Sequence, residues 1–304
     1  MDYYYSFKKY LKKRHNKKIW RIPLSTGYPC PNRINGNKGC TFCDGFSFIA
    51  PYMKNDSIEE QLKEGIDFFG NKFNVEFFYG YFQENTGTFG NIDDLINKYE
   101  YILKQENILG LIISTRPDYI NHDIIEKIKL LRNKYNKDVW IEMGLQSVYD
   151  KTLKRVNRNH TYDTFKYAVK VIKENSNIKI GVHMILGLPG ETPDMMKNSI
   201  LTLFQENDVD GIKLRLLDIL PGAEMEKDYM NNKKDFYVFS NNEYISLICD
   251  IFERIPENIV IMRTLNYNPV NILNKDEKIL TKDEILIRIR DEFKKRGTRQ
   301  GSFY

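Results

Sequence analysis

Cys30, Cys40 and Cys43 stand at C-x9-C-x2-C spacing in "PCPNRINGNKGCTFCDGF", residues 29–46, and are three of the four cysteines in the chain. In a reducing compartment, thiols set this closely are more often metal ligands or catalysts than disulfide partners. Pro29, Pro31, Gly36, Gly39 and Gly45 let the segment fold back on itself and gather the three thiolates. The fourth cysteine, Cys249, falls on an apolar stripe with Ile245, Ile248 and Phe252 and is expected in the core. Structural zinc wants four protein ligands, so a set of three points to a site with an open coordination position. A 4Fe-4S cluster held by three cysteines leaves one iron free to bind a substrate or cofactor. Zinc completed by a distant histidine or a water is the alternative at this stage.

The elements that must position this loop alternate regularly. Apolar runs at residues 19–24, 75–82, 108–114, 139–145, 178–186 and 211–217 predict six strands. Between them lie helical stripes with start signals: Ser57 with Glu60, Thr161, and Thr192 followed by Pro193. Six β/α units imply a parallel sheet covered by helices, an α/β partial (β/α)6 TIM-like barrel. Ligands gather at the C-terminal ends of such strands, and the cysteine loop follows strand one. The expected division is a basic segment at 1–18, the barrel at 19–220, and a small α+β extension at 221–304. That extension carries a possible strand at 259–262 and a last helix capped by Thr281 and Glu284.

Composition narrows the class. In 304 residues with a net charge of +5 there is no apolar run near the roughly 18 residues that cross a bilayer, so a soluble protein without membrane partners is expected. The first residues lack the apolar core of a secretory signal, which makes the cytoplasm the default. Between Lys8 and Arg21 there are eight Lys or Arg and no acid, interleaved with Tyr10, His15 and Trp20. The stretch reads either as a solvated face or as a phosphate-contacting patch with rings for base stacking. A second basic stretch spans Lys294 to Arg299.

Three further motifs extend the reading. "WIEMGLQSVYDKTLKRVNRNHT" (140–161), "HMILGLPGET" (183–192) and "STRPDYI" (114–120), taken with the cysteines, resemble the radical S-adenosylmethionine (radical SAM) superfamily. Within it the chain resembles the group related to the Elongator catalytic subunit and to oxygen-independent coproporphyrinogen oxidases, and most of all the YhcC/YtqA (MnmL-like) family. The resemblance implies a radical SAM barrel with a 4Fe-4S cluster on Cys30, Cys40 and Cys43 and S-adenosylmethionine as second cofactor. It implies that Glu142, Gln146 and Ser147 face the ribose and methionine of that cofactor. Arg158 would pair the methionine carboxylate, a solvated arginine being the alternative. Gly187, Pro189 and Gly190 form a turn without bulky side chains that lets backbone approach the cofactor. Lys213 would contact cofactor or substrate. Where many members carry a Gly-Gly-Glu-like element after strand two, this chain reads "GYFQENTGTF", so Gln83, Asn85 and Thr86 would serve instead.

The implied reaction is reductive cleavage of the sulfonium to a 5'-deoxyadenosyl radical, with an external one-electron donor of the flavodoxin or ferredoxin type. The implied substrate is the wobble uridine of tRNA, its 5-carboxymethylaminomethyl side chain trimmed to 5-aminomethyl. A splayed RNA base needs cations and stacking surfaces, which the basic, aromatic N-terminus offers. Two alternatives are a radical enzyme acting on a small metabolite, and a cluster-containing RNA-binding or sensing module without catalysis.

Overall fold

The computed structural model describes residues 3–43, 45, 57–174, 176–264, 273 and 280–304. Seven strands make one parallel sheet in chain order: β1 (Ile19–Leu24), β2 (Phe77–Phe82), β3 (Ile108–Thr115), β4 (Asp138–Gln146), β5 (Lys179–Leu186), β6 (Gly211–Leu216) and β7 (Val260–Arg263). The crossover helices are α2 (Ile58–Phe73), α3 (Ile92–Leu103), α4 (His122–Tyr135), α5 (Asp150–Arg155) with α6 (Tyr162–Lys173), and α7 (Pro193–Glu206). Their starts follow the sequence signals: Ser57 and Glu60 close a reciprocal capping box, and Thr192 caps α7 with Pro193 in its first turn.

The sheet is strongly curled. In a flat sheet β2 and β6 would lie four strand spacings apart, roughly 19 Å. Instead the Lys213 ammonium on β6 donates to the Tyr81 hydroxyl on β2 at 2.6 Å. The result is a half-barrel with two apolar faces. Along β4, Val139, Ile141, Met143 and Leu145 point outward into the main core under the helices, while Trp140 packs inside the barrel. Strand alternation turns Glu142 and Gly144 to the same inner side.

Two expectations change. The possible strand at 259–262 is β7, and it extends the barrel sheet, Gly211 pairing with Val260 and Lys213 with Arg263, rather than standing in a separate extension. The basic N-terminus is an amphipathic helix, α1 (Phe7–His15), whose Phe7, Tyr10 and Leu11 are buried inside the barrel against Tyr79 and Trp140. Tyr79 OH donates to Asp138 at 2.9 Å and Trp140 Nε1 at 3.1 Å, and Tyr10 OH joins the same carboxylate oxygen. Asp138 opens β4, so α1 closes the N-terminal mouth, the end opposite the cysteine loop. Of the aromatic residues read as stacking surfaces, Tyr10 belongs to this plug and His15 touches it through the Tyr79 hydroxyl at 2.6 Å, whereas Trp20 is exposed on β1 and stacks on Phe73; Lys8, Lys12, Lys13 and Arg14 face solvent at that far end.

Among the described residues three more α-helices follow β6: α8 (Glu224–Asn231), α9 (Asn241–Phe252) and α10 (Lys282–Arg296). Cys249 lies fully buried on α9 in the main core, as its stripe implies. The second basic stretch is partly neutralised, since Arg296 pairs with Asp250 at 2.7 Å and with Glu253 and Glu292. Gln300 joins the two ends of the chain, accepting from Tyr5 N–H at 2.8 Å and donating to the Pro256 and Ile259 carbonyls. Ile261 N–H on β7 donates to the Tyr5 carbonyl at 2.8 Å. Among the described residues no helix is long and apolar enough to cross a membrane.

Candidate cluster and cofactor site

The cysteine loop leaves β1 at the C-terminal end of the sheet and is tied down by the segment after α5. Asn157 donates to the Gly39 carbonyl at 2.7 Å, and Asn32 reaches back to the Asn157 carbonyl at 2.8 Å. Thr41 N–H donates to Val156 O. Asn157 and Asn159 both adopt left-handed backbone (φ 53° and 54°), which asparagine tolerates better than most residues and which lets the segment turn twice beside the loop.

Cys40 is buried, while Cys30 and Cys43 are half-exposed. The Cys40 thiol accepts from Arg158 Nη1 at 3.2 Å and from Asn32 Nδ2 at 3.3 Å. Burial opposes ionisation, but the Arg158 charge and hydrogen bond, with Arg116 behind, hold this thiol below its ordinary value. Cys30 is pushed up by burial, and the nearby Cys40 and Cys43 add to that rise. Cys30 thus senses both of the other sulfurs. Among the described residues no three His, Cys, Asp or Glu side chains converge tightly enough to hold a single metal ion. A cluster takes one thiolate on each of three irons, whereas zinc gathers its ligands on one ion.

Arg158 is neither solvated nor free. It is 6% exposed, and besides Cys40 it donates to the Gly144 carbonyl and, through Nε, to His160 Nε2 at 3.1 Å. Three of its five N–H donors are engaged within the protein, and one on each η nitrogen remains for a ligand. Accepting that bond leaves the proton of His160 on Nδ1, facing the Thr161 carbonyl at 3.3 Å. Burial, then the charges of Arg158 and Arg116, push His160 down to about 3. Below the ordinary 6.5 the unfolded chain binds a proton that the folded histidine refuses, so stability falls as pH drops through that window. For this one group the loss is about 2 kcal/mol at pH 5. His160→Gln should flatten that part of the slope in urea titrations at pH 7 and pH 5, and an unchanged slope would mean that His160 takes up its proton within the fold.

The remaining predicted residues divide into two groups. Gln146 ends β4 at φ 80°, strained for a residue with a side chain, and Ser147 is fully buried and donates to Glu191 at 2.5 Å. That bond joins the "GLQS" turn to the "GLPGET" turn, where Gly187 and Gly190 take φ 91° and 87° and Pro189 is buried. Thr86, 1% exposed, has a buried hydroxyl without a partner, and Asn85 donates to the Tyr28 carbonyl at 3.2 Å. Gln83 follows β2 on the same loop.

Glu142 and Lys213 are brought together deeper in the barrel. One Glu142 oxygen, Oε2, accepts from Tyr81 OH at 2.6 Å and from Lys213 Nζ at 3.1 Å, with His183 Nε2 at 2.7 Å. Burial opposes its charge, yet Lys213 and His183 hold the carboxyl well below the usual carboxylate range. Burial, then Lys213, pushes His183 down to about 4, and burial lowers Lys213 to about 8 against the pull of Glu142. Tyr81 on β2 is a member of this network.

Sequence reasoning passed over two residues. Arg116 is 4% exposed, donates to the Arg158 carbonyl at 2.6 Å and pairs with Asp118 at 2.8 Å, leaving Nη1 buried without a partner. Glu191 is 4% exposed, and burial raises its carboxyl despite Ser147 and Thr152. Both stood in quoted motifs, and a charged residue flanked by Pro or Gly at a strand end was the available signal. The orphaned Thr86 hydroxyl and Arg116 nitrogen fit a ligand with hydroxyl, amino and carboxylate groups, and the donor set around Cys40 fits a thiolate-bound cluster.

Comparison with known proteins agrees with this geometry. Residues 30–203 match the Radical SAM superfamily and residues 209–295 the Radical SAM C-terminal domain. The chain is similar to the uncharacterized protein YtqA of Bacillus subtilis, 30% identical with 99% of this chain and 92% of YtqA covered. It is 28% identical to the tRNA uridine(34) acetyltransferase of Methanocaldococcus infernus, over 46% of this chain and 25% of that one. The solved structure of the archaeal Methanocaldococcus infernus Elp3, lacking its N-terminus, superposes with a TM-score of 0.68 at 17% identity. That match covers 93% of this chain, which spans 64% of the Elp3 chain.

Proposed function

Because the chain belongs to the radical SAM superfamily, in the YhcC/YtqA group, we propose that it is a tRNA-modifying enzyme that trims the 5-carboxymethylaminomethyl side chain of the wobble uridine to 5-aminomethyl. Cys30, Cys40 and Cys43 would hold the 4Fe-4S cluster. Gln83, Asn85, Thr86, Gln146, Ser147 and the Gly187–Pro189–Gly190 turn would surround S-adenosylmethionine. With an electron from a flavodoxin or ferredoxin in the cytoplasm, the bound pair would supply radical chemistry able to take hydrogen from an unactivated carbon.

The chain's own residues prepare the site. Arg158 and Asn32 favour the thiolate form of Cys40 against its burial, and Arg116 adds positive charge where the ligand's carboxylate would enter. The Ser147–Glu191 bond fixes the two turns against each other. The observation that carries the reading is the Arg158-held Cys40 beside two orphaned polar atoms at the C-terminal end of the barrel. The tRNA assignment draws on the relative named for tRNA uridine(34). Because α1 lies at the opposite mouth, the RNA would approach over the C-terminal loops instead of the basic N-terminus.

The test is anaerobic reconstitution with iron and sulfide, reduction with dithionite, and measurement of 5'-deoxyadenosine with and without undermodified tRNA. The expected result is cleavage that rises with tRNA. A well-formed cluster that never yields deoxyadenosine would leave only a binding or sensing role.

A further inference from the structure

The interior of the half-barrel holds more positive charge than the cluster and cofactor account for. Arg21 on β1, Lys213 and Arg215 on β6, and Arg263 at the end of β7 gather near Glu142, with Asp218 3.9 Å from Arg215 at the open side. The sheet register sets them side by side: Lys213 pairs with His183 and with Arg263, and Arg215 with Ile185. The Arg21 guanidinium lies 5.6 Å over the Tyr81 ring, and the Lys213 ammonium 5.1 Å over the same ring. The cations run from buried to open, the Lys213 side chain 7% exposed and that of Arg215 42%. They sense one another, because Arg215 and Arg21 add to burial in lowering Arg263, and Arg21 and Arg263 act likewise on Lys213. Crowding like charges inside a barrel is costly unless an anion joins them.

Two buried atoms sharpen the chemistry. Arg21 Nη1 is a donor without an acceptor, and Glu142 Oε1 is an acceptor without a donor. A simple anion would satisfy only the first. A ligand that carries both an anionic oxygen and an N–H satisfies both.

We propose that this chamber receives the charged end of the substrate, a carboxylate joined through one carbon to an amine: the carboxylate lies among Arg21, Lys213, Arg215 and Arg263, and the amine donates to Glu142 Oε1. The proposal rests on the tRNA reading above and deepens it. It gives the enzyme a way to tell substrate from product, since the aminomethyl product has lost the carboxylate that the cations hold. It also moves Glu142 and Lys213 from the cofactor to the substrate.

The experiment compares two tRNAs identical except at the wobble uridine, one with the carboxymethylaminomethyl side chain and one with aminomethyl. Each is titrated against the cluster-loaded enzyme and against the Arg215→Gln/Arg263→Gln variant, whose substitutions lie at the open side of the chamber. The parent should bind the carboxylate-ended tRNA at least about tenfold more tightly, and the variant should show a ratio near one with its affinity for the aminomethyl tRNA retained. Arg215→Lys/Arg263→Lys should restore part of the preference. A variant that keeps the full preference overturns the proposal while tRNA-dependent deoxyadenosine formation still stands. If neither tRNA raises deoxyadenosine in the parent enzyme, the tRNA reading falls and takes this one with it.

Discussion

Cys40→Ala is expected to abolish deoxyadenosine formation, by three orders of magnitude or about 4 kcal/mol of activation free energy, without unfolding the chain. Of the three loop cysteines only Cys40 is buried, and only it is held by both a guanidinium and an amide. Losing it removes one of three protein ligands and leaves the Arg158 Nη1 donor without its acceptor. The loop backbone keeps its ties to Asn157 and Val156, so the fold survives. Iron content after reconstitution should fall with activity, while far-ultraviolet circular dichroism stays the same. Cys249→Ala is the control: it opens a small core cavity but leaves iron bound, because Cys249 packs among Ile245, Ile248 and Phe252 away from the loop. Retention of iron and turnover in Cys40→Ala would refute the ligand assignment.

The second large effect is on stability. Glu142→Gln is expected to cost roughly 3–5 kcal/mol, since it leaves the Lys213 ammonium buried without a counter-charge. Lys213→Met in the same background should recover much of the loss, as removing both partners of a buried pair usually does. The pH dependence carries a sign that can be checked. Lys213 is lowered to about 8 in the fold, so between that pH and the ordinary value near 10.4 the unfolded chain binds the extra proton. Stability contributed by this group therefore rises with pH across that window, and Lys213→Met should remove the rise. Glu142 is held well below its usual value, so its contribution is fully present above the unfolded carboxylate range and is lost progressively as pH falls below that range. Urea midpoints at pH 7, 8 and 10 for the parent, the single variants and the double variant would decide it. A Glu142→Gln protein within about 1 kcal/mol of the parent would show that the carboxylate is not the counter-ion.

The barrel was legible in the sequence because its strands are continuous apolar runs and its helices begin with strong caps. The run at 19–24 coincides with β1, and those at 108–114, 139–145, 178–186 and 211–217 differ from the strands by a residue or so. β7 is only Val260–Arg263, too short for periodicity to say which sheet it joins. Phe7, Tyr10 and Leu11 recur at helical spacing among lysines, and composition alone cannot tell a plug from a solvated basic patch, since the barrel they fill is built by residues far along the chain. The cysteines and the turn glycines stood out because their types are rare and their spacing is tight. The partners of Arg158 did not: a guanidinium reads as solvated until the fold brings Cys40, Gly144 and His160 around it. Glu142 announced itself as an acid in an apolar strand, but its neighbours Tyr81, His183 and Lys213 come from three other strands, and only the curl of the sheet unites them.

The junction at Gln300 sets an order of assembly. Tyr5 and Gln300 are 295 positions apart, and the strand that the N-terminal segment pairs with, β7, is also made late. At ribosomal speeds of about 5–20 residues per second, the first helix waits on the order of 15–60 seconds for β7 and Gln300. Tyr79 and Trp140 are made well before them, so through that interval Phe7, Tyr10 and Leu11 have only part of their seat, without Val260 and Met262. Closing the loop thus follows the synthesis of β7 and Gln300, and until then part of the apolar helix face lacks its cover. Its dense lysines, which looked like an RNA contact, would keep that waiting helix soluble.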